Sequence, residues 1–136
     1  MGDRVKELIS VVYVEDDPDI RELVEIIFER DSTLRLYTCG PVPDILERIR
    51  GAQPDIVLLD VMMPGMDGRT VANRMRADPA LVSVPFVFMT AKARPQELAE
   101  LYKLGALGVI SKPFDAVTLP NDVRRLLTKH RAAGAE

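Results

Sequence analysis

Asp60 closes a run of four apolar residues, Ile56, Val57, Leu58 and Leu59, and a Pro64-Gly65 turn follows it. A continuous apolar run of this length reads as a strand buried on both faces. Asp60 then stands at a strand's carboxyl end, the edge of an open parallel sheet where ligands bind. A lone aspartate there serves as a turn cap. Here it has company. The run 8–14 ends on Glu15, Asp16 and Asp17, the run 86–89 ends on Thr90, and the run 107–110 leads into Ser111, Lys112 and Pro113. Clustered carboxylates repel one another unless a cation sits among them, and all-oxygen ligands favour a hard ion such as Mg²⁺. A hydroxyl and an ammonium opposite the acids are the groups that hold the oxygens of a phosphoryl group. Asp60 between them is placed to be the nucleophile, forming an acyl phosphate while the metal neutralises charge on the entering group. Singly, Lys112 is a solvated lysine, Thr90 a strand-end cap and the acids a helix start. Their meeting on one edge is what points to chemistry.

The elements that position these residues follow from pattern. After the first strand, Ile20, Leu23, Val24, Ile27 and Phe28 share one face of a helix that opens at Asp17-Pro18. Leu34, Leu36 and Thr38 alternate with Arg35 and Tyr37, as expected of an edge strand, and Val42, Ile45, Leu46 and Ile49 mark a second helix ending near Gly51 and Pro54. A third helix opens at Asp67-Gly68 and closes before Pro79, a fourth carries Leu98, Leu101 and Tyr102 and stops at Gly105, and a fifth carries Leu119, Val123, Leu126 and Leu127. Five strands alternating with five helices predict an α/β fold, a doubly wound parallel sheet with helices on both faces.

The chain has 136 residues and a formal charge of −3, with a pI near 5.3. That size suits one domain, and the charge gives no general attraction to nucleic acid or to anionic membranes. One cysteine, Cys39, forms no internal disulfide and suits a reducing compartment; it is expected to be a small packed or partly exposed residue. Asp3, Arg4, Lys6 and Glu7 precede a short apolar strand, unlike a signal peptide, and no segment approaches membrane-spanning length. The expectation is a soluble, cytoplasmic chain, with residues 1–130 as one domain and 131–136 as a frayed tail.

Over nearly its whole length the chain resembles the receiver domain of bacterial two-component response regulators. The resemblance rests on Val14-Glu15-Asp16-Asp17-Pro18, on Leu59-Asp60-Val61-Met62-Met63-Pro64-Gly65-Met66-Asp67-Gly68, and on Met89-Thr90-Ala91-Lys92, Gly105-Ala106 and Lys112-Pro113-Phe114. Each motif is weak alone, and together in this order they are highly specific. The resemblance implies a flavodoxin-like sheet of order 2-1-3-4-5 and Asp60 as the aspartate phosphorylated by a histidine kinase or histidine phosphotransfer protein. It implies Asp16 as a direct Mg²⁺ ligand, Glu15 as an acid acting through water, and the Met62 backbone carbonyl as the remaining protein ligand. Asp17 lies one place beyond the acidic pair and is assigned to the helix start. Thr90 matches the switch hydroxyl and Lys112 the lysine that pairs with the phosphoryl group. The Lys112-Pro113 peptide is expected to be cis, against a general frequency of about 5% for X-Pro bonds.

Two departures stand out. Val109 occupies the place, three before the lysine, where an aromatic is usual, so a Thr-aromatic switch is in doubt and the signal is expected to leave through the loop after the fourth strand. Pro120 falls early in the last helix, which is therefore expected to begin near Thr118. An unknown output partner is expected on the face of the fourth helix, fifth strand and fifth helix, without direct nucleic acid or membrane binding, in either a stand-alone receiver or a piece of a longer protein. Two alternatives are a receiver-like scaffold with vestigial phosphorylation and an aspartyl-phosphate phosphatase of the haloacid dehalogenase type. The scaffold is disfavoured because the acids, Thr90 and Lys112 are all present. The phosphatase resemblance calls for a second Asp two positions after the first, where this chain has Met62.

Overall fold

Side chains alternate across the sheet, and that alternation divides the core in two. The computed structural model describes residues 8–91 and 94–134. Its main sheet holds β1 (Ile9–Val14), β2 (Leu34–Cys39), β3 (Ile56–Asp60), β6 (Phe86–Thr90) and β7 (Gly108–Ser111), all parallel, in the order β2-β1-β3-β6-β7. Counting only these five strands, this is the expected 2-1-3-4-5. Val12, Val14, Val57, Leu59 and Phe88 face one way, against Ile45 and Ile49 of α2 (Ile45–Ala52), Val71 and Met75 of α3 (Gly68–Arg76) and Leu101 of α4 (Pro95–Lys103). Val11, Tyr13, Leu58, Val87 and Met89 face the other way, against Val24 and Phe28 of α1 (Pro18–Glu29) and Leu119, Val123 and Leu127 of α5 (Leu119–Gly134). Every residue of β3 and β6 is buried, which is why their sequences read as unbroken apolar runs.

Helix starts follow local chemistry. Asp17 and Asp67 cap α1 and α3, each accepting the backbone N–H two residues on, from Asp19 and Arg69. Proline occupies the first turns of α1 and α4, where its missing N–H costs nothing. α5 begins at Leu119, one residue past the expected start, with Pro120 in its first turn.

Four differences from the sequence reading have physical reasons. The loop after β3 holds a small antiparallel hairpin, β4 (Met62–Met63) with β5 (Met66–Asp67), whose two-residue strands are too short for any periodicity to register. Val42 lies outside α2 because the residue before a proline, here Pro43, is biased away from helical geometry; it packs partly buried against the core instead. The last strand runs 108–111 rather than 107–110, and Leu107 pairs its N–H with the Phe86 carbonyl from outside the ladder. A frayed tail was expected from Arg131, yet α5 continues through Gly134, since Arg131 and two alanines are good helix formers and Arg131 pairs with Asp55 at 3.2 Å. Residues 135–136 of that tail, Lys92 of the resemblance and the charged N-terminal residues lie outside the described residues.

α5 is also tied to the turn between α1 and β2. The Thr33 hydroxyl and N–H both donate to Asp31 Oδ1, at 2.6 and 3.0 Å, and Arg124 pairs with Asp31 Oδ2. The Thr33 hydroxyl first, with Arg124 assisting against partial burial, holds the Asp31 carboxyl down to about 2. A depressed carboxyl stabilises the fold above its unfolded pKa, and that contribution is lost as pH falls through the folded value. The charge-dependent part of the stability difference between wild type and Asp31→Asn is therefore expected to be nearly full above about pH 4 and to shrink to a small fraction by about pH 2. Denaturant midpoints at pH 5, 3.5 and 2 measure it; a difference that stays constant would remove Asp31 from the account.

Candidate functional site

The carboxyl ends of β1, β3, β6 and β7 converge. Strand register places Asp60 opposite Met89, so Thr90 lies one residue further on the neighbouring strand, and Thr90 in turn pairs with Ser111. The Lys112 N–H donates to the Thr90 carbonyl at 2.8 Å, carrying the ladder one residue past the strand. Asp60, Glu15 and Thr90 are buried polar residues at the edge of the core. Carboxylate oxygens of Glu15, Asp16 and Asp60 all lie within 4.8 Å of one another. The Lys112 ammonium bridges two of these acids, 2.8 Å from Glu15 Oε1 and 3.1 Å from Asp60 Oδ1. The Lys112-Pro113 peptide is cis.

Glu15 is held at every polar atom. Its N–H donates to the Cys39 carbonyl at 3.0 Å, its carbonyl accepts Arg21 at 2.7 Å, and its Oε2 accepts the Asp17 N–H at 3.0 Å. Its Oε1 accepts both Lys112 and the Tyr13 hydroxyl, the latter at 2.7 Å. Asp16 is partly exposed, which leaves its carboxylate the more accessible of the adjacent pair.

The electrostatics follow from burial and crowding. By protein atoms alone, burial first and the Glu15 charge second push the Asp60 carboxyl up to about 7, against the opposing bond from Lys112. Burial works against the Lys112 charge, but Glu15 and Asp60 outweigh it and leave that pKa raised. Burial and the Glu15 carboxylate push the Tyr13 phenol far above its usual range, so it remains a donor. Three hard oxygen donors crowded at this spacing fit a divalent cation such as Mg²⁺.

The hairpin over the site depends on a close approach. Gly68 donates its N–H to the Val61 carbonyl at 2.8 Å, and a Cβ built there would lie 2.1 Å from the Asp60 carbonyl oxygen. Only glycine lets α3 start against the phosphoacceptor candidate's own backbone. Gly65, at φ +74°, makes the hairpin turn. The Met62 side chain points outward, 61% exposed.

The structure thus brings Glu15, Asp16, Asp60, Thr90 and Lys112 to one edge and sets Met62 just beyond Asp60 in the hairpin. Residues 11–124 match the response regulator receiver domain family. The chain belongs to that family. Among receiver relatives, it is 32% identical over 133 residues to the response regulator Rre1 of Synechocystis sp., covering 96% of this chain and 58% of the relative. It is 35% identical over 127 residues to the transcriptional regulatory protein CseB of Streptomyces coelicolor, covering 91% and 51%. The chain therefore spans about half the length of the curated relatives it matches. Among solved receivers, the chemotaxis response regulator CheY4 of Vibrio cholerae superposes with a TM-score of 0.78 at 26% identity, covering 88% of this chain and 98% of that one. The function class of this receiver is that of a phosphoacceptor in two-component signalling. Among the described residues no helix is long and apolar enough to cross a membrane.

Sequence reasoning missed Tyr13. Between Val12 and Val14 its ring reads as core, and it is core, with no measurable exposure. The available signal is that Tyr13 and Glu15 are two apart, the spacing of one strand face, and a buried phenol requires a partner for its hydroxyl.

Proposed function

We propose that Asp60 is the phosphoacceptor, taking a phosphoryl group from a phosphohistidine of a histidine kinase or histidine phosphotransfer protein in a Mg²⁺-dependent reaction. The observation that carries this reading is Lys112, held between Glu15 and Asp60 beside three convergent carboxylates. An Asp60 carboxylate oxygen attacks phosphorus, the donor's N–P bond breaks, and its electron pair leaves on the imidazole. Asp16 and Asp60 with the Met62 carbonyl would hold Mg²⁺ directly and Glu15 through water. The ion would supply charge neutralisation at the phosphoryl oxygens. Lys112 needs only a short move from Asp60 to follow charge onto a phosphoryl oxygen, and the Thr90 hydroxyl can donate to another. The same groups serve the hydrolysis of the acyl phosphate, so this receiver promotes only its own phosphorylation and dephosphorylation.

Partner contact follows from access. A donor histidine has to reach over the carboxyl edge, where a hollow of about 400 Å³ lined by Ile20, Leu23, Pro113 and Phe114 adjoins Lys112. The output partner is assigned to the α4-β7-α5 face. Val109 there is partly buried against the core, short and β-branched, and has few rotamers with which to relay a change.

Incubation with acetyl phosphate and Mg²⁺ is expected to add one phosphoryl group, mapped by peptide mass to Asp60. Calorimetric Mg²⁺ binding is expected to disappear when Asp16→Asn and Asp60→Asn are combined. A phosphoryl group mapping elsewhere, or unchanged Mg²⁺ affinity in the double variant, would reject the assignment.

A further inference from the structure

We infer that Tyr13 is a positioning residue for phosphoryl transfer, its hydroxyl fixing the Glu15 carboxylate that shares Lys112 with Asp60; this rests on Asp60 being the acceptor. Four polar atoms form a chain across the site. The Tyr13 hydroxyl donates to Glu15 Oε1 at 2.7 Å, the same oxygen accepts Lys112 Nζ at 2.8 Å, and Nζ reaches Asp60 Oδ1 at 3.1 Å. Among the described residues the Tyr13 hydroxyl bonds to Glu15 rather than to Asp60. Its influence passes through Glu15.

A second contact closes the chain into a loop. The Tyr13 ring meets the Phe114 ring edge-on, with centroids 6.4 Å apart and planes at 73°. Phe114 follows Lys112 by two residues across the cis Pro113. Tyr13 therefore holds Lys112 at both ends: the ammonium through Glu15, and the backbone through the packing of Phe114. For packing alone a phenylalanine would fill the same space, so the hydroxyl is what remains to be explained.

Its chemistry is specific. A donor on Glu15 Oε1 takes up part of that oxygen's pull on the ammonium, so Lys112 stays shared with Asp60. A shared ammonium is poised to follow negative charge as it develops on the phosphoryl oxygens. Without the hydroxyl, Lys112 is the donor left to Oε1 among the described residues, and that oxygen draws the ammonium away from Asp60.

Tyr13→Phe keeps the ring and removes the hydroxyl. Its maximal rate of phosphorylation by acetyl phosphate at saturating Mg²⁺ is expected to fall about tenfold, the scale of one hydrogen bond to a charged group, with the half-saturating acetyl phosphate concentration unchanged. Combined with Glu15→Gln, it is expected to add no further loss, because both changes act on one carboxylate. The ¹⁵Nζ resonance of Lys112 in protein that has not been phosphorylated is expected to shift in Tyr13→Phe. A wild-type rate, a loss that multiplies with that of Glu15→Gln, or an unshifted Lys112 resonance overturns the inference. If wild type itself gains no phosphoryl group at Asp60, the parent reading falls with it, and that outcome is visible before any variant is made.

Discussion

Lys112→Met is expected to slow phosphorylation by acetyl phosphate about a hundredfold, the scale seen when one preorganised donor is removed from a transition state. The same change should alter stability in a way that separates structure from catalysis. Lys112 is the cation the structure pairs with both Glu15 and Asp60, each almost fully buried. Breaking a buried ion pair by removing one partner costs about 3–5 kcal/mol, because the other charge stays behind without compensation. In Mg²⁺-free buffer the variant can escape part of that cost by protonating Asp60, whose carboxyl already sits at about 7 with Lys112 in place. The sign follows from linkage. A carboxyl raised in the folded state binds protons that the unfolded chain has released, so stability falls as pH rises from about 4 to beyond 7. Lys112→Met should steepen that fall, and saturating Mg²⁺ at pH 8 should restore most of the loss in melting temperature. Its phosphorylation rate should stay low. Recovery of the rate by Mg²⁺, or a pH-stability profile identical to wild type, would show that Lys112 does not neutralise these acids.

The second large effect is expected at Gly68. A methyl group there would lie 2.1 Å from the Asp60 carbonyl oxygen, 3.0 Å from its carbon and 3.1 Å from the Val61 Cα, all backbone atoms with no rotamer to yield. Gly68→Ala must push α3 away from β3, costing about 1–3 kcal/mol for overpacking and about 1 kcal/mol for the weakened Gly68-to-Val61 hydrogen bond. Because the displaced backbone is that of Asp60, the acetyl phosphate reaction should suffer in the protein that remains folded. Gly51→Ala is the control. Gly51 is helical, and nothing lies within 4 Å of its added methyl, so the change should raise stability by about 0.5–1 kcal/mol. Urea midpoints with m-values for both variants make the comparison. A neutral Gly68→Ala would mean that the start of α3 yields easily where it meets the Asp60 backbone.

Asp60, Thr90 and the acidic triplet were legible because each follows a buried run, and a parallel sheet sends all such ends to one side. Lys112 was legible for the same reason, although nothing in its own neighbourhood distinguishes it from a solvated lysine. The hairpin of Met62 and Met63 with Met66 and Asp67 was not, since two residues carry no period. Tyr13 was hidden by its apolar body: the sequence shows a ring in a strand, while the position of its hydroxyl is fixed only once Glu15 is placed. Gly68 was seen as a helix opening, but the need for glycine there arises from its contact with Asp60, eight residues earlier in the chain. Val42 and the tail of α5 show the reverse error, where a pattern of apolar or small polar residues outweighed proline geometry in one case and helix propensity in the other.

The guanidinium ties of α5 lie on the side of the sheet remote from the acids. Arg124 grips the turn that leads into β2, and Arg131 grips Asp55 just before β3. The molecule is in that respect a book stitched along one margin by α5, while the clasp at the other is Lys112 between Glu15 and Asp60, the cation that phosphoryl charge would draw on. A protein that recognised the bound margin would meet one surface whether or not Asp60 carried phosphate and could stay attached through the whole signalling cycle. A reader of the signal on the α4-β7-α5 face would then be expected to rest toward the carboxyl end of that face, so tethering and sensing can be divided between two opposite ends of the same sheet.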